Sequence, residues 1–161
     1  MRAARVFRWI VRIFVLFLTV SMTVLSVLGG LSAVQILNDP NNVQIPSGSL
    51  DFNLTSTEPY INVPFRITNA GYYDLTNLTI SFKIEMDNAT EVSQTIYDDT
   101  ESFGDILHGE TLDGNYNATN FITTDFYFDP TFLANITVSA SYSLDLISFE
   151  VRLINLNVTE L

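Results

Sequence analysis

No charged side chain stands between Arg12 and Asp39, an interval of 26 residues. As a helix it would extend roughly 39 Å, against about 30 Å of hydrocarbon in a bilayer. Fifteen residues of Ile13–Leu37 are Ile, Leu, Val or Phe, each worth roughly −0.3 to −0.6 kcal/mol at a helix centre in a membrane. Their sum outweighs Gln35 and the scattered Ser, Thr and Gly. The chain is therefore expected to cross a membrane once, with a basic tail at 1–12, a transmembrane helix at 13–37, a stalk at 38–49 and a folded domain at 50–161.

Arg2, Arg5, Arg8 and Arg12 are four of the seven basic residues and all precede the apolar run. Basic flanks collect on the cytoplasmic side. This predicts a plasma-membrane protein with its N-terminus cytoplasmic and its C-terminal domain extracytoplasmic, and Trp9 at the inner interface. The alternative is a cleaved signal peptide, with small residues near Gly29–Ala33 as the processing site. Its apolar core would normally be 7–15 residues, shorter than this one. A pilin-type leader fits less well, because Arg5, Arg8 and Arg12 are interleaved with apolar residues.

Beyond the apolar run stand three basic residues, Arg66, Lys83 and Arg152, against all eighteen acidic ones, a formal charge of −15. Nucleic acid and anionic lipid are therefore expected to be poor partners, since both need clustered positive charge. The chain has no cysteine, so a domain outside the cell must be held by its core alone. About 112 residues suffice for one such core. Six Asn-x-Thr triplets begin at Asn53, Asn77, Asn88, Asn117, Asn135 and Asn157. Chance would give roughly three, so some are expected to carry glycans. The alternative is a β protein rich in Asn and Thr that produces the triplets by accident.

Past Leu50 the apolar period changes from helical to two. Leu50, Phe52 and Leu54 alternate with polar residues, as do Ile61, Val63, Phe65 and Ile67, with Pro64 on the opposite phase marking an edge or a bulge. Leu78, Ile80, Phe82, Ile84 and Met86 form the clearest strand, and Ile136, Val138, Ala140, Tyr142 and Leu144 another. Val92–Tyr97 reads as a short partner strand, Asp98–Gly109 as an acidic loop leading into a strand near Gly109–Leu112, and Asp113-Gly114-Asn115 as a turn. The last strand starts on one phase (Ile147, Phe149, Val151, Leu153) and ends on the other (Ile154, Leu156, Val158), the mark of a β-bulge. About seven or eight strands and no periodic helix predict an all-β antiparallel sandwich of immunoglobulin or fibronectin III type.

Ile61–Met86 (INVPFRITNAGYYDLTNLTISFKIEM) resembles the opening of the late-embryogenesis-abundant type 2, or WHy, domain, in a variant associated with archaeal membrane-anchored proteins. Asn69-Ala70 stands where that family usually has Asn-Pro. The resemblance implies a fibronectin-like sandwich and a surface or stress-related setting, and it supplies no catalytic residues.

Chemistry is sparse in the pattern. His108 is the one histidine, so a zinc site would have to be built almost wholly of carboxylates. No nucleophile elbow lies near it and no Gly-rich phosphate loop occurs. Asp113, Asn115 and Asn117 have the alternating spacing of a calcium loop, but Ala118 and Thr124 stand where its Gly and bidentate Glu belong. Asp98, Asp99, Glu101 and Asp105 read as a solvated acidic loop. No catalytic residue, metal or cofactor is expected. The leading expectation is a non-enzymatic envelope or accessory-subunit module; the alternative is a leader-processed filament or surface-layer subunit that assembles by strand exchange.

One pattern points to a partner inside the membrane. Thr19, Thr23, Ser26, Gly30 and Ala33 fall within an arc of about 80° on a helix, a stripe of small side chains suited to close packing. The stripe is expected to meet either a copy of this helix or a larger membrane protein. Accidental alignment of small residues is the alternative.

Overall fold

The computed structural model describes residues 2–54, 58–88, 91–123, 130–142, 145 and 147–158. Among these residues one helix, α1 (Arg2–Asn38), precedes eight strands: β1 (Val43–Gln44), β2 (Asp51–Asn53), β3 (Tyr60–Thr68), β4 (Leu75–Asn88), β5 (Glu91–Ile106), β6 (Thr111–Ala118), β7 (Thr131–Tyr142) and β8 (Ile147–Asn157). They form two four-stranded sheets. In one, β3 lies between β6 and the pair β1 and β2; the other runs β5-β4-β7-β8. All the pairings are antiparallel.

The period-two runs build the space between the sheets. Ile61, Val63, Phe65 and Ile67 from β3 meet Leu78, Ile80, Phe82, Ile84 and Met86 from β4 and Ile136, Val138, Ala140 and Tyr142 from β7, all buried in one cluster. Leu144 lies outside the described residues, as do residues 124–128 of the aromatic-rich stretch Phe121–Phe128. Two interior voids of about 10 Å³ each are lined by apolar side chains such as Val63, Phe82 and Ile136. Such voids stay dry and offer no room for a ligand.

Three local expectations are corrected. Asp98–Gly109 is no loop through most of its length, because β5 continues to Ile106 beside β4. There Asp99 pairs with Phe82 and Glu101 with Ile80, which puts both carboxylates on the core-facing side of an edge strand. Both stay exposed. Inward-facing charge of this kind hinders further strand pairing at an edge.

Asp113-Gly114-Asn115 is not a turn but the middle of β6. Gly114 pairs with Phe65, and a Cβ there would stand 2.5 Å from Phe65 Cζ. The glycine seats a ring instead of bending the chain. Finally, Pro64 sits on a strand flanked on both sides, not on an outer strand. Its carbonyl accepts a hydrogen bond from Ser47 N at 2.8 Å, so its nitrogen faces the gap between β1 and β2, where no ladder donor is required.

The bulge expected in β8 is present. Two residues, Ile154 and Asn155, stand opposite Asn135, and Asn155 has φ 56° and donates its N–H to Asn135 Oδ1 at 2.8 Å. The inward phase resumes at Leu156 and Val158, leaving Ile154 exposed.

Candidate functional site at the helix–sandwich junction

The stretch read as a stalk is built into the sandwich. Asn42 is buried, Val43 and Gln44 pair with Ile67 and Arg66, and Thr68 N donates to Asn42 O at 2.8 Å. The helix itself runs on to Asn38, and its last turns belong to the domain core. Gly29, Ser32 and Ile36 are buried and Ala33 packs against the core cluster. Positions 29, 32, 33 and 36 share one helical face, and that face is turned to the sandwich.

The contact is closed by a loop between β3 and β4. Ser32, with 0 % of its surface exposed, donates its hydroxyl to Leu28 O at 2.9 Å and accepts the Tyr72 N–H at 2.8 Å. Gly71 lies so close that a Cβ would stand 2.7 Å from Ser32 Cβ and 2.8 Å from the Tyr142 hydroxyl. A side chain cannot fit there without moving helix or sheet. Gln35 Nε2 reaches the Tyr72 hydroxyl at 3.4 Å, and Asn42 Nδ2 donates to Gln35 O at 3.2 Å.

Behind this loop stands Asn69, also 0 % exposed. Its Nδ2 donates to Tyr73 O and Ile106 O, both at 2.9 Å, and its Oδ1 accepts from Gly71 N at 3.1 Å and the Tyr142 hydroxyl at 2.8 Å. Its backbone N–H donates to Glu110 O and its carbonyl accepts from Gly109 N, each at 2.9 Å. A buried amide is tolerable when all its donors and acceptors are used. Burial pushes the Tyr142 phenol up to about 12, since the charged form is poorly solvated there. His108 lies in the adjoining turn, where its N–H donates to Asp74 Oδ1 at 2.8 Å and its Nδ1 meets Gly71 O. Both contacts position the loop.

The small-residue stripe divides. Gly30 faces Ile147 and Ala33 the core, so the outer end of the stripe serves this chain's own domain. Thr19, Thr23 and Ser26 are exposed on the helix. The Thr19 and Thr23 hydroxyls donate to Val15 O and Thr19 O, both at 2.9 Å. Gly29 and Ser32, which lie off the stripe, are the small residues that the sandwich buries. Their signal in the sequence was the density of small residues between 29 and 33.

Of the glycosylation candidates, Asn53, Asn77 and Asn117 are exposed and Asn135 and Asn157 half-buried. The side chain of Asn88 lies outside the described residues. Asn77 has φ 55°; its N–H donates to Asp105 Oδ1 and its Nδ2 to Asp145 Oδ1, both at 3.0 Å. Asp113, part of the calcium-like spacing, pairs with Arg66 at 2.6 Å. Among the described residues no group of three His, Asp or Glu side chains is placed to hold a metal ion.

No protein-family model matches the chain. No curated protein matches it either. Among solved structures it is similar to a Bordetella pertussis protein assigned as ApaA, at 16 % identity and a TM-score of 0.40, over 69 % of this chain and 85 % of that one. A likeness at this level carries no inference about role. What stands in the plain structure is an antiparallel two-sheet sandwich carrying one N-terminal helix long and apolar enough to cross a membrane.

Proposed function

We propose that this protein is a single-pass membrane protein that keeps its helix and holds the sandwich against the outer membrane surface as a non-catalytic envelope or accessory-subunit module. The observation that carries the reading is the burial of Ser32 and Ile36 in the sandwich. Removing a signal peptide near Gly29–Ala33 would take away Ser32 or free the short end that holds Ile36. The positive flank before Ile13 favours a cytoplasmic N-terminus, and the exposed Asn53, Asn77 and Asn117 suit N-glycosylation of the outer domain.

The late-embryogenesis-abundant type 2 resemblance belongs to the same proposal. Asn69, which directly follows β3 in the resembling segment, ties β5, β7 and the loop that carries Gly71 together. A leader-processed subunit joined by strand exchange draws less support, because processing would cut into the junction and Asp99 and Glu101 oppose strand addition at β5.

The test is protease accessibility on intact cells expressing the chain tagged at either end. Digestion should consume the C-terminal tag and spare the N-terminal one. Loss of the N-terminal tag with protection of the other would reverse the topology.

A further inference from the structure

We infer that the helix end of the sandwich rests in the outer headgroup layer of the bilayer, with Tyr72 and Leu107 at the boundary between headgroups and acyl chains. The inference rests on the anchor reading above and adds a second, peripheral membrane contact to it.

The depth follows from counting. The last charge before the apolar run is Arg12. A hydrocarbon core of about 30 Å takes about 20 helical residues, which places its outer boundary near Ser32. Ser32 is not a free point on a tether. It accepts the Tyr72 N–H, and Gly71 packs against its Cβ position. The loop is thus pinned to the helix at the depth where hydrocarbon ends, and the sandwich cannot lift away while those contacts hold.

The side chains there match that layer. Tyr72 is 50 % exposed, and its hydroxyl reaches Gln35, about one turn further out than the Ser32 that holds its backbone. The apolar ring therefore lies on the membrane side and the polar tip on the water side, the orientation that concentrates tyrosine at membrane interfaces. Leu107, 52 % exposed, is carried by the turn that His108 ties to Gly71 and Asp74. On the helix, Leu31, Val34 and Leu37 are exposed at the same end. The exposed carboxylates of Asp74 and Glu110 flank the loop and turn, which limits immersion to the boundary. With a charge of −15 beyond the helix, attraction to anionic lipid cannot drive the contact; apolar burial can.

The test places the single tryptophan by depth. With Trp9→Phe as background, tryptophan is introduced separately as Tyr72→Trp, Leu107→Trp, Phe17→Trp in mid-span and Ile122→Trp at the far end of the sandwich. Each full chain is reconstituted in phosphatidylcholine vesicles brominated along the acyl chains, and folding is checked by thermal unfolding. Quenching and a blue-shifted emission are expected at positions 17, 72 and 107, with position 122 unaffected. Quenching at 17 with none at 72 and 107 would overturn the headgroup contact and leave the anchor standing. No quenching at 17 would overturn the anchor and the contact together. Quenching at 122 would mean that the sandwich lies flat on the bilayer, which contradicts the proposed placement.

Discussion

Ser32 Oγ accepts the Tyr72 N–H at 2.8 Å across forty residues of sequence, joining a helix apolar enough to span a membrane to the loop that leaves β3. A plain tether would leave Ser32 only its donor bond to Leu28 O within the helix. Here it fixes the angle and depth at which the domain meets the helix.

The first prediction concerns the space at that contact. Gly71→Ala puts a methyl group within 2.7 Å of Ser32 Cβ and 2.8 Å of the Tyr142 hydroxyl. Overpacking of this kind costs roughly 1–3 kcal/mol. The melting temperature of the full chain in detergent should fall, whereas Gly48→Ala, where the nearest atom would be 3.8 Å away, should melt close to wild type.

Asn69 should be less replaceable than its size suggests. Asn69→Leu strands the Tyr73 and Ile106 carbonyls and the Tyr142 hydroxyl. Each buried group left unpaired costs roughly 1–3 kcal/mol. The variant should lose most of its folding cooperativity in urea, and Asn42→Ala, which gives up one bond to Gln35 O, should lose far less.

Core register is checked by a pair of neighbours. Phe82 is buried and Ser81 half-buried on the other face of β4. Phe82→Ala should cost roughly 3–5 kcal/mol, while Ser81→Ala should stay within about 0.5 kcal/mol. The reverse order in denaturant midpoints would mean that the strand is turned over.

Alkaline pH supplies an independent probe. Tyr142 is raised from an ordinary value of 10 to about 12 by burial. A group bound more tightly to its proton in the fold contributes stability that is full below pH 10 and lost as pH climbs through 12. Unfolding midpoints should therefore decline across that window, and Tyr142→Phe should flatten part of the decline while weakening the fold at neutral pH.

Much of this architecture was legible because buried strands repeat every second residue. Ile61–Ile67, Leu78–Met86 and Ile136–Tyr142 face inward as their alternation requires. β5 was legible only at its start, Val92–Tyr97, and β6 only near Thr111 and Leu112. The inward phase of β5 carries Asp99 and Glu101, so an edge strand read as a solvated loop. Gly114 in β6 answers a ring on β3, a long-range contact that no local pattern announces. The junction was hidden for a related reason. Gly29, Ser32 and Ile36 read equally well as membrane helix, and only the position of Gly71 and Tyr72 shows what they meet.

A membrane anchor of this kind requires that the helix remain part of the mature protein. Intact mass of the protein extracted from membranes, after removal of glycans, measures this directly. A mass that retains Arg12 through Ser32 is predicted. A mature chain beginning between Gly29 and Leu37 would contradict the account, since it would lose Ser32 or leave it on a short free end.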